Sequence, residues 1–322
     1  MRISRPALPP RSRPVPRTAP ERRRAEYART MPSKHMAIDP SSASRRIALT
    51  AGAILMVLAS TGGASMWLAR QTRASTHEAL ATVLETTQQA VHSWVDEHRA
   101  TASVWAATPE LVRLTAALRD VDAEGSDLVG SAAQEELRRF LSPVLQGLGY
   151  RGFFVIAPSG TSLASSRDTN VGGPNLLLEQ EGFLEQVLAV GSAMSTPMPS
   201  DVPLASAAGV LEPEAPTMFA AAPIRDPAGD VIGALAFRID PAADFTAILQ
   251  RGRIGESGET YAFDSGARLM SESRFDDQLV EAGLIRPGQR GLLRVEVRDP
   301  GVDLLTGRAS PLPTLTEQPL TL

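Results

Sequence analysis

The stretch MFAAAPIRDPAGDVIGALAFRID, residues 218–240, decides the fold class of this chain. Two apolar runs of strand length flank DPAG at residues 226–229, where Asp, Pro and Gly are typical of a tight turn. The stretch therefore predicts a β-hairpin. Upstream, GFFVIA at residues 152–157 is followed by PSG and by TSLAS at residues 161–165, which predicts a second hairpin.

Helical patterns surround the two predicted hairpins. Residues 72–119 contain one proline and no glycine, and apolar residues at a 3.5-residue period through residues 80–105 predict a long helix lying against a partner. Thr108, Pro109 and Glu110 are typical of the start of a second helix. Further helices are expected at residues 131–146, at residues 175–190 and from Pro241 to about residue 250, with a loop at residues 192–216. This order predicts an antiparallel sheet with helices packed on it, an α+β fold.

The 23 residues at 47–69, IALTAGAILMVLASTGGASMWLA, carry no charge. A helix of that length spans roughly 35 Å, and the hydrocarbon core of a bilayer is about 30 Å thick. Residues 1–46 carry twelve basic and three acidic residues, so the positive-inside rule places them in the cytoplasm and everything after residue 70 outside it. The stretch predicts one transmembrane helix in a single-pass protein; a cleaved secretory signal peptide is the alternative.

Composition excludes several chemistries. Eight prolines in residues 1–46 predict a disordered basic tail, and a second disordered tail is expected at residues 311–322. The chain has no cysteine, which excludes a disulfide scaffold, a thiolate zinc site and a cysteine nucleophile. GLGYRG at residues 147–152 follows a helix rather than a strand, so it does not fit a dinucleotide-binding loop. We expect no catalytic residues, no cofactor, no metal and no nucleic acid partner.

Two later segments, GESGETYAFD at residues 255–264 and GARLMSESRF at residues 266–275, resemble the double Cache sensor domains of bacterial membrane receptors. WVDEH at residues 94–98, TASVWA at 101–106, FFVIAPSGTSLASSRD at 153–168, residues 218–240 and VRDPG at 297–301 fit the same pattern. The resemblance spans residues 70–310 and implies a PAS-like extracytoplasmic sensor on a long helix. It implies a membrane-distal lobe at residues 70–252 and a partial second lobe at residues 253–310. The second-lobe residues that carry it are Tyr261, Asp264, Ser271, Ser273 and Arg274.

The resemblance also implies a function, which is to bind a small molecule (an amino acid, a carboxylate or an amine) and to relay the event across the bacterial inner membrane. Candidate ligand contacts are polar residues after the first hairpin and one aromatic residue of the second: Ser165, Arg167, Asp168, Asn170 and Phe219. Arg167 can form a bidentate pair with a carboxylate and Asp168 can accept from an ammonium group. The other interpretation of these polar residues is a capped turn. We expect a homodimer through residues 76–105.

Two other functions stay open at this point. Residues 253–310 are short for a complete second lobe, and no output domain is recognisable after them, so the chain can be a truncated, non-signalling receptor fragment. A membrane-anchored periplasmic enzyme is less favoured, because no catalytic constellation is recognisable.

Overall fold

The computed structural model describes residues 40–205, 209–252 and 258–297. Several predicted segments lie outside the described residues: residues 1–39 of the N-terminal tail, GES at residues 255–257, the rest of the second lobe at residues 298–310, and the tail at residues 311–322. The last seven residues of that tail, 40–46, are helical rather than disordered. The helix begins at Pro40, whose fixed φ suits a first helical position, and no helix breaker separates it from the apolar stretch.

Helix α1, Pro40–Ala106, runs without interruption through the uncharged stretch and the 3.5-residue repeat. Within the described ranges, residues 44–106 of α1 are the one segment long and apolar enough to cross a membrane, judged by length and composition. Contacts divide the chain at Arg73 into two units, and the second unit, from Ala74 onward, contains the sheet. The predicted membrane helix and the predicted long helix therefore form one continuous element.

The second unit contains an antiparallel sheet of six strands, in the order β2-β1-β8-β7-β3 with β4 paired to the start of β7. The strands are β1 Gly152–Ile156, β2 Ser162–Ser165, β3 Ala193–Met194, β4 Met198–Pro199, β7 Pro216–Arg225 and β8 Val231–Ile239, while β5 Leu204–Ala205 pairs only with β6 Leu211–Glu212. Both predicted hairpins are present. In the β7–β8 turn Asp226 Oδ1 accepts from the backbone N–H groups of Ala228 and Asp230, and Gly229 has a φ of 94°.

The remaining helices are α2 Pro109–Ala123, α3 Ala132–Leu148, α4 Phe183–Ala189, α5 Phe245–Arg251 and α6 Asp276–Glu281. The predicted α+β class is confirmed. The single helix predicted at residues 175–190 is wrong. A 3₁₀ turn at Leu176–Glu179 is separated from α4 by Gly182, whose φ of 71° interrupts helical geometry. The loop predicted at residues 192–216 contains the short strands β3 to β6, which are too short to show a period of two.

The sheet is buried on both faces, and two separate apolar clusters cover it. On what we call the helix face, Phe153, Leu235 and Phe237 pack with fully buried leucines of α2 and α3. On the opposite side, called the loop face, Phe154 and Phe219 pack with the 3₁₀ turn, α4 and Met198 of β4, among other residues. Because side chains of a strand alternate between faces, Leu235, Phe237 and Ile239 of β8 belong to the cluster on the helix face, and Ala234 and Ala236 belong to the cluster on the loop face.

Helix α1 is attached to the helix face through a series of aromatic ring contacts. The indole of Trp94 lies edge-on to His98, with ring centroids 4.8 Å apart, and 5.9 Å from the ring of Phe245. His98 Nδ1 lies 2.9 Å from the hydroxyl of Tyr150, whose ring stacks on Phe237 at 4.6 Å. Since Phe237 is in the central strand β8, these rings connect α1 to the middle of the sheet.

Gly233 in β8 has no room for a side chain, because a Cβ there would lie 2.8 Å from the carbonyl oxygen of Ile156. We expect Gly233→Ala to push β8 away from β1 and to lower the free energy of unfolding by about 1–3 kcal/mol, the usual cost of overpacking. Gly147→Ala is the matched control: a Cβ there meets open space within α3, so stability stays equal or rises. Thermal unfolding of the full chain in detergent checks both, and equal melting temperatures for the two variants would contradict the packing argument.

Burial lowers the pKa of His98 below its ordinary value of 6.5, and the nearby carboxylates of Asp244 and Glu97 oppose this shift. The unfolded chain therefore binds this proton more readily than the folded chain does. The resulting stability is fully present above pH 6.5 and is lost as the pH falls from there through the lower pKa of the folded state. We expect His98→Gln to flatten the dependence of melting temperature between pH 7.5 and pH 5.5, whereas His77→Gln, at an exposed position of α1, leaves it unchanged. An unaltered pH profile in His98→Gln is the result that rejects this assignment.

Candidate functional site

The loop face of β8 contains one charged side chain, Arg238, and it is 1% exposed. In the sheet register Arg238 lies between Gly152 of β1 and Phe219 of β7. Its guanidinium carbon is 5.2 Å from the ring centroid of Phe154 and 5.0 Å from that of Phe219. Because the two ring centroids are 5.6 Å apart, both rings lie on the same side of the guanidinium in cation–π contact, and its N–H edge is left to polar partners.

The segment that follows β4 supplies those polar partners. Arg238 donates to Ser200 Oγ at 2.5 Å and to Asp201 Oδ1 at 2.7 Å. The second carboxylate oxygen of Asp201 accepts from Asn170 Nδ2 at 2.5 Å. Asn170 Oδ1 is buried and has no hydrogen-bond partner among the described residues. A carboxylate and an unused amide acceptor therefore lie side by side above Arg238.

A second arginine, Arg167, completes what we call the arginine site: Arg238, Arg167, Asp201 and Asn170 with the rings of Phe154 and Phe219. Arg167 is half-buried and donates to the carbonyl oxygen of Arg151 at 3.3 Å. Among the residues that the structure describes, it forms no ion pair. A Cβ at Gly152 would lie 3.1 Å from Arg167 Nη1, so this glycine leaves room for the guanidinium against β1.

The charges of the arginine site do not balance. Burial lowers the pKa of Arg238 and Asp201 opposes that shift, while Arg167 adds to it by repulsion. Burial likewise lowers the pKa of Arg167. Two neighbouring guanidinium groups thus share the single carboxylate of Asp201. A charge in an apolar environment is costly unless it is paired, so the site favours one more anion.

The predicted ligand contacts lie in two groups. Phe219 contacts Arg238, Asn170 contacts Asp201, and Arg167 lies near enough to Arg238 for their charges to repel. Ser165 and Asp168 lie beside α3 instead: Ser165 Oγ accepts from the backbone N–H of Arg167 at 3.2 Å, and Asp168 pairs with Arg138 at 2.6 Å. The contacts of Ser165 and Asp168 are those of a turn held to a helix. Their role in ligand binding stays a prediction, as does that of the other three.

Sequence reasoning did not single out Arg238 or Asp201. One signal for Arg238 was present, since it is the only charge in the otherwise apolar strand VIGALAFRI at residues 231–239. Asp201 had no such signal, because it lies in a stretch without periodicity and reaches the site only through the pairing of β4 with β7.

The motif residues of the second lobe make local contacts. Glu259 accepts from the Ser273 hydroxyl at 3.0 Å and from the backbone N–H of Arg274 at 2.6 Å. Of the other motif residues, Ser271 is fully buried and accepts from the Ala262 N–H. Asp264 accepts from the N–H groups of Gly266 and Arg268. The ring of Tyr261 lies near that of Phe263. In the described part of this lobe the motif therefore holds turns together.

A groove of about 630 Å³ lies between α2 and the β7–β8 turn and is lined in part by Val112, Arg119 and Ile232. It is open to solvent, whereas the arginine site buries unbalanced charge against the sheet, so we place the candidate site at Arg238. No group of three or more His, Cys, Asp or Glu side chains suited to a metal ion occurs within the described ranges.

Comparisons with known proteins give structural similarity alone, since no protein-family profile and no curated protein sequence matches the chain. The sensor domain of the Vibrio cholerae histidine kinase DctB aligns with 18% identity and a TM-score of 0.42, over 59% of this chain and 64% of that domain. The Escherichia coli DcuS sensor domain aligns with 14% identity and a TM-score of 0.33, over 50% of this chain and 95% of that domain. The ligand-binding domain of the Campylobacter jejuni chemoreceptor Tlp3, in complex with L-valine, aligns with 14% identity and a TM-score of 0.39, over 66% and 76%. The chain thus spans less than two thirds of the DctB domain.

We expect the effects of substituting Arg238 and Asp201 on the free energy of unfolding to be non-additive. Asp201→Ala leaves a buried guanidinium without its carboxylate and should lower the free energy of unfolding by about 3 kcal/mol, typical of breaking a buried pair. Arg238→Met keeps an unbranched side chain beside the two rings and should cost less. In the double variant, Asp201→Ala should then lower the free energy of unfolding little below that of Arg238→Met alone. A double-mutant cycle on the full chain measures the coupling, and simple additivity would contradict it.

Proposed function

We propose that this chain is the membrane-anchored, extracytoplasmic input region of a bacterial receptor, with a sensor domain of the double Cache class. In this proposal residues 1–46 are cytoplasmic, residues 47–69 cross the inner membrane, residues 70–252 form the membrane-distal ligand-binding lobe and residues 253–310 belong to a second lobe. The chain is proposed to sense a ligand and not to catalyse a reaction.

The observation that carries this proposal is the buried, unbalanced charge of the arginine site. Arg238 is the single charge within β8, and the nearby Arg167 has no carboxylate of its own within the described ranges. A structural core gains nothing from a second, half-buried guanidinium, whereas a binding site for a carboxylate uses one. Convergent polar groups on a mostly apolar surface are the usual composition of a small-molecule site.

The chemistry of the site indicates the ligand class. Arg238 and Arg167 can hold a carboxylate, and the free Oδ1 of Asn170 together with Asp201 can accept from an ammonium group. An amino acid carries both groups, and the apolar rings of Phe154 and Phe219 suit its aliphatic part. We therefore propose small carboxylates, with amino acids first among them, as the ligand class. Ser165 and Asp168 would support the turn that positions Arg167 and Asn170.

The signal would leave the domain through α1. The rings that link Trp94 and His98 to β8 connect this helix to the strand that carries Arg238. Residues 76–105 of α1 expose Leu80, Leu84 and Val104, and we propose that this stretch pairs with the same stretch of a second copy. Ligand binding would then favour one of two packings of the helix pair.

Ligand binding is tested by the melting temperature of the full chain in detergent, measured against the common amino acids, short mono- and dicarboxylates and their amides. A ligand at one hundred times its dissociation constant adds about 2.7 kcal/mol of stability, which a melting curve detects. We expect a carboxylate of this panel to raise the melting temperature, and Arg238→Met and Arg167→Met to reduce its affinity at least tenfold.

Arg139→Met is the matched control, because the Arg139 side chain is 72% exposed on α3. It should respond to the ligand as the unaltered chain does. Stabilisation by none of the carboxylates, or the same stabilisation in Arg238→Met, would overturn the proposed site.

A further inference from the structure

The segment that carries Asp201 is attached to the sheet mainly through arginines. Strand β4 contributes two residues and ends at Pro199, and β5 pairs only with β6. The segment at residues 200–205, which ends with β5, is held by Arg238, which binds Ser200 and Asp201, and by Arg151, which donates to the carbonyl oxygen of Ala205 at 2.7 Å. Asn170 also donates to Asp201, at 2.5 Å. One backbone hydrogen bond, from Ser200 N–H to the carbonyl of Ala215 at 2.9 Å, also holds its start.

The position that Asp201 holds on Arg238 is the position that a ligand carboxylate needs. Phe154 and Phe219 lie together on one side of the guanidinium, and its N–H edge, with Nη1 and Nη2, donates to Ser200 and Asp201. The Asp201 carboxylate lies on that edge, at 2.7 Å. The described contacts of Arg238 use Nη1 for Ser200 and Nη2 for Asp201, so a second carboxylate that binds at Nη2 takes the place of the Asp201 carboxylate.

Arg167 makes such an exchange electrostatically possible. It is half-buried, close enough to Arg238 for the two charges to repel, and its own charge interacts with Asp201. Two guanidinium groups can neutralise two carboxylates. When a ligand carboxylate pairs with Arg238, Asp201 can pair with Arg167 or accept from a ligand ammonium group, so neither carboxylate is left buried and unpaired.

We propose that Asp201 is an internal substitute for the ligand's carboxylate: it pairs with Arg238 and holds the 200–205 segment on the sheet, and a bound carboxylate displaces it and releases that segment. This proposal rests on the proposed function, in which the ligand carries a carboxylate. It adds that binding changes the attachment of the segment between β4 and β5. Binding and conformational change would thus be one exchange of ion pairs at Arg238.

The first test is chemical rescue with acetate, which has a carboxylate and no ammonium group. In Asp201→Ala the position beside Arg238 is open, so acetate should raise the melting temperature of this variant with its concentration, at constant ionic strength, and recover at least half of the loss. Acetamide should have no effect. Asp230→Ala, which removes an exposed carboxylate in the β7–β8 turn, and the double variant Asp201→Ala/Arg238→Met should not respond to acetate. Rescue absent in Asp201→Ala, or equal in Asp230→Ala, overturns the proposal.

A second measurement stands even where Asp201→Ala folds poorly. Asp201→Asn keeps the shape of the side chain and removes its charge. Backbone amide exchange within residues 200–205, where Ser200 and Val202 have hydrogen-bonded N–H groups and Pro203 has none, should become at least tenfold faster in this variant, while exchange within β8 stays unchanged. Equal exchange of residues 200–205 in Asp201→Asn and the unaltered chain shows that the ion pair does not hold the segment, and rejects the proposal.

These results separate the inference from the proposed function. If a carboxylate of the ligand panel stabilises the unaltered chain and acetate fails to rescue Asp201→Ala, the site binds carboxylates and Asp201 is not their substitute. If acetate rescues Asp201→Ala but no panel compound stabilises the unaltered chain, the substitution by Asp201 stands and the proposed ligand class fails.

Discussion

Burial of strand β8 on both faces is the constraint on which the rest of the domain depends. Apolar residues of β8 on the helix face meet α2, α3 and the ring of Tyr150, and those on the loop face meet the layer formed by the 3₁₀ turn, α4 and β4. A charged residue in such a strand must find its counter-ion within one of the two covering layers, since water does not reach it. Arg238 finds it in Asp201, and this requirement fixes where the segment after β4 lies.

The two covering layers differ in what holds them. On the helix face, fully buried leucines such as Leu114 and Leu141 belong to secondary structure with its own backbone hydrogen bonds. On the loop face, short strands and turns contribute few backbone hydrogen bonds, so side-chain charges make up a larger share of the attachment. Apolar packing is non-directional, and a small molecule cannot replace it at a single point. An ion pair, in contrast, can be exchanged when another group of the same charge takes the place of one partner. The loop face is therefore the side of the sheet suited to respond to a small anion.

Local patterns in the sequence predicted most elements of this fold. The β7–β8 hairpin follows from the two apolar runs on either side of DPAG, and α2 follows from Pro109 and Glu110 at its start. The break before α4 was missed because a single glycine is tolerated inside a helical pattern, and its φ is decided by tertiary packing. The strands β3 to β6 were missed because two residues carry no period, and their pairing partners are distant in the sequence.

The candidate site was predicted only in part, because local patterns reveal some of its residues and the others come together only in the folded sheet. Arg167 and Asn170 follow a recognisable hairpin, and Phe219 lies within another, so local reasoning reached them. Arg238 and Asp201 become a pair only when β8, β7 and β4 are assembled, because they are 37 residues apart in the chain. A lone arginine within an apolar strand nevertheless has a physical meaning that sequence reasoning can use. Such a residue must be paired when the strand is central, so it predicts a carboxylate from a distant segment, and that segment is then expected to depend on the pair for its position.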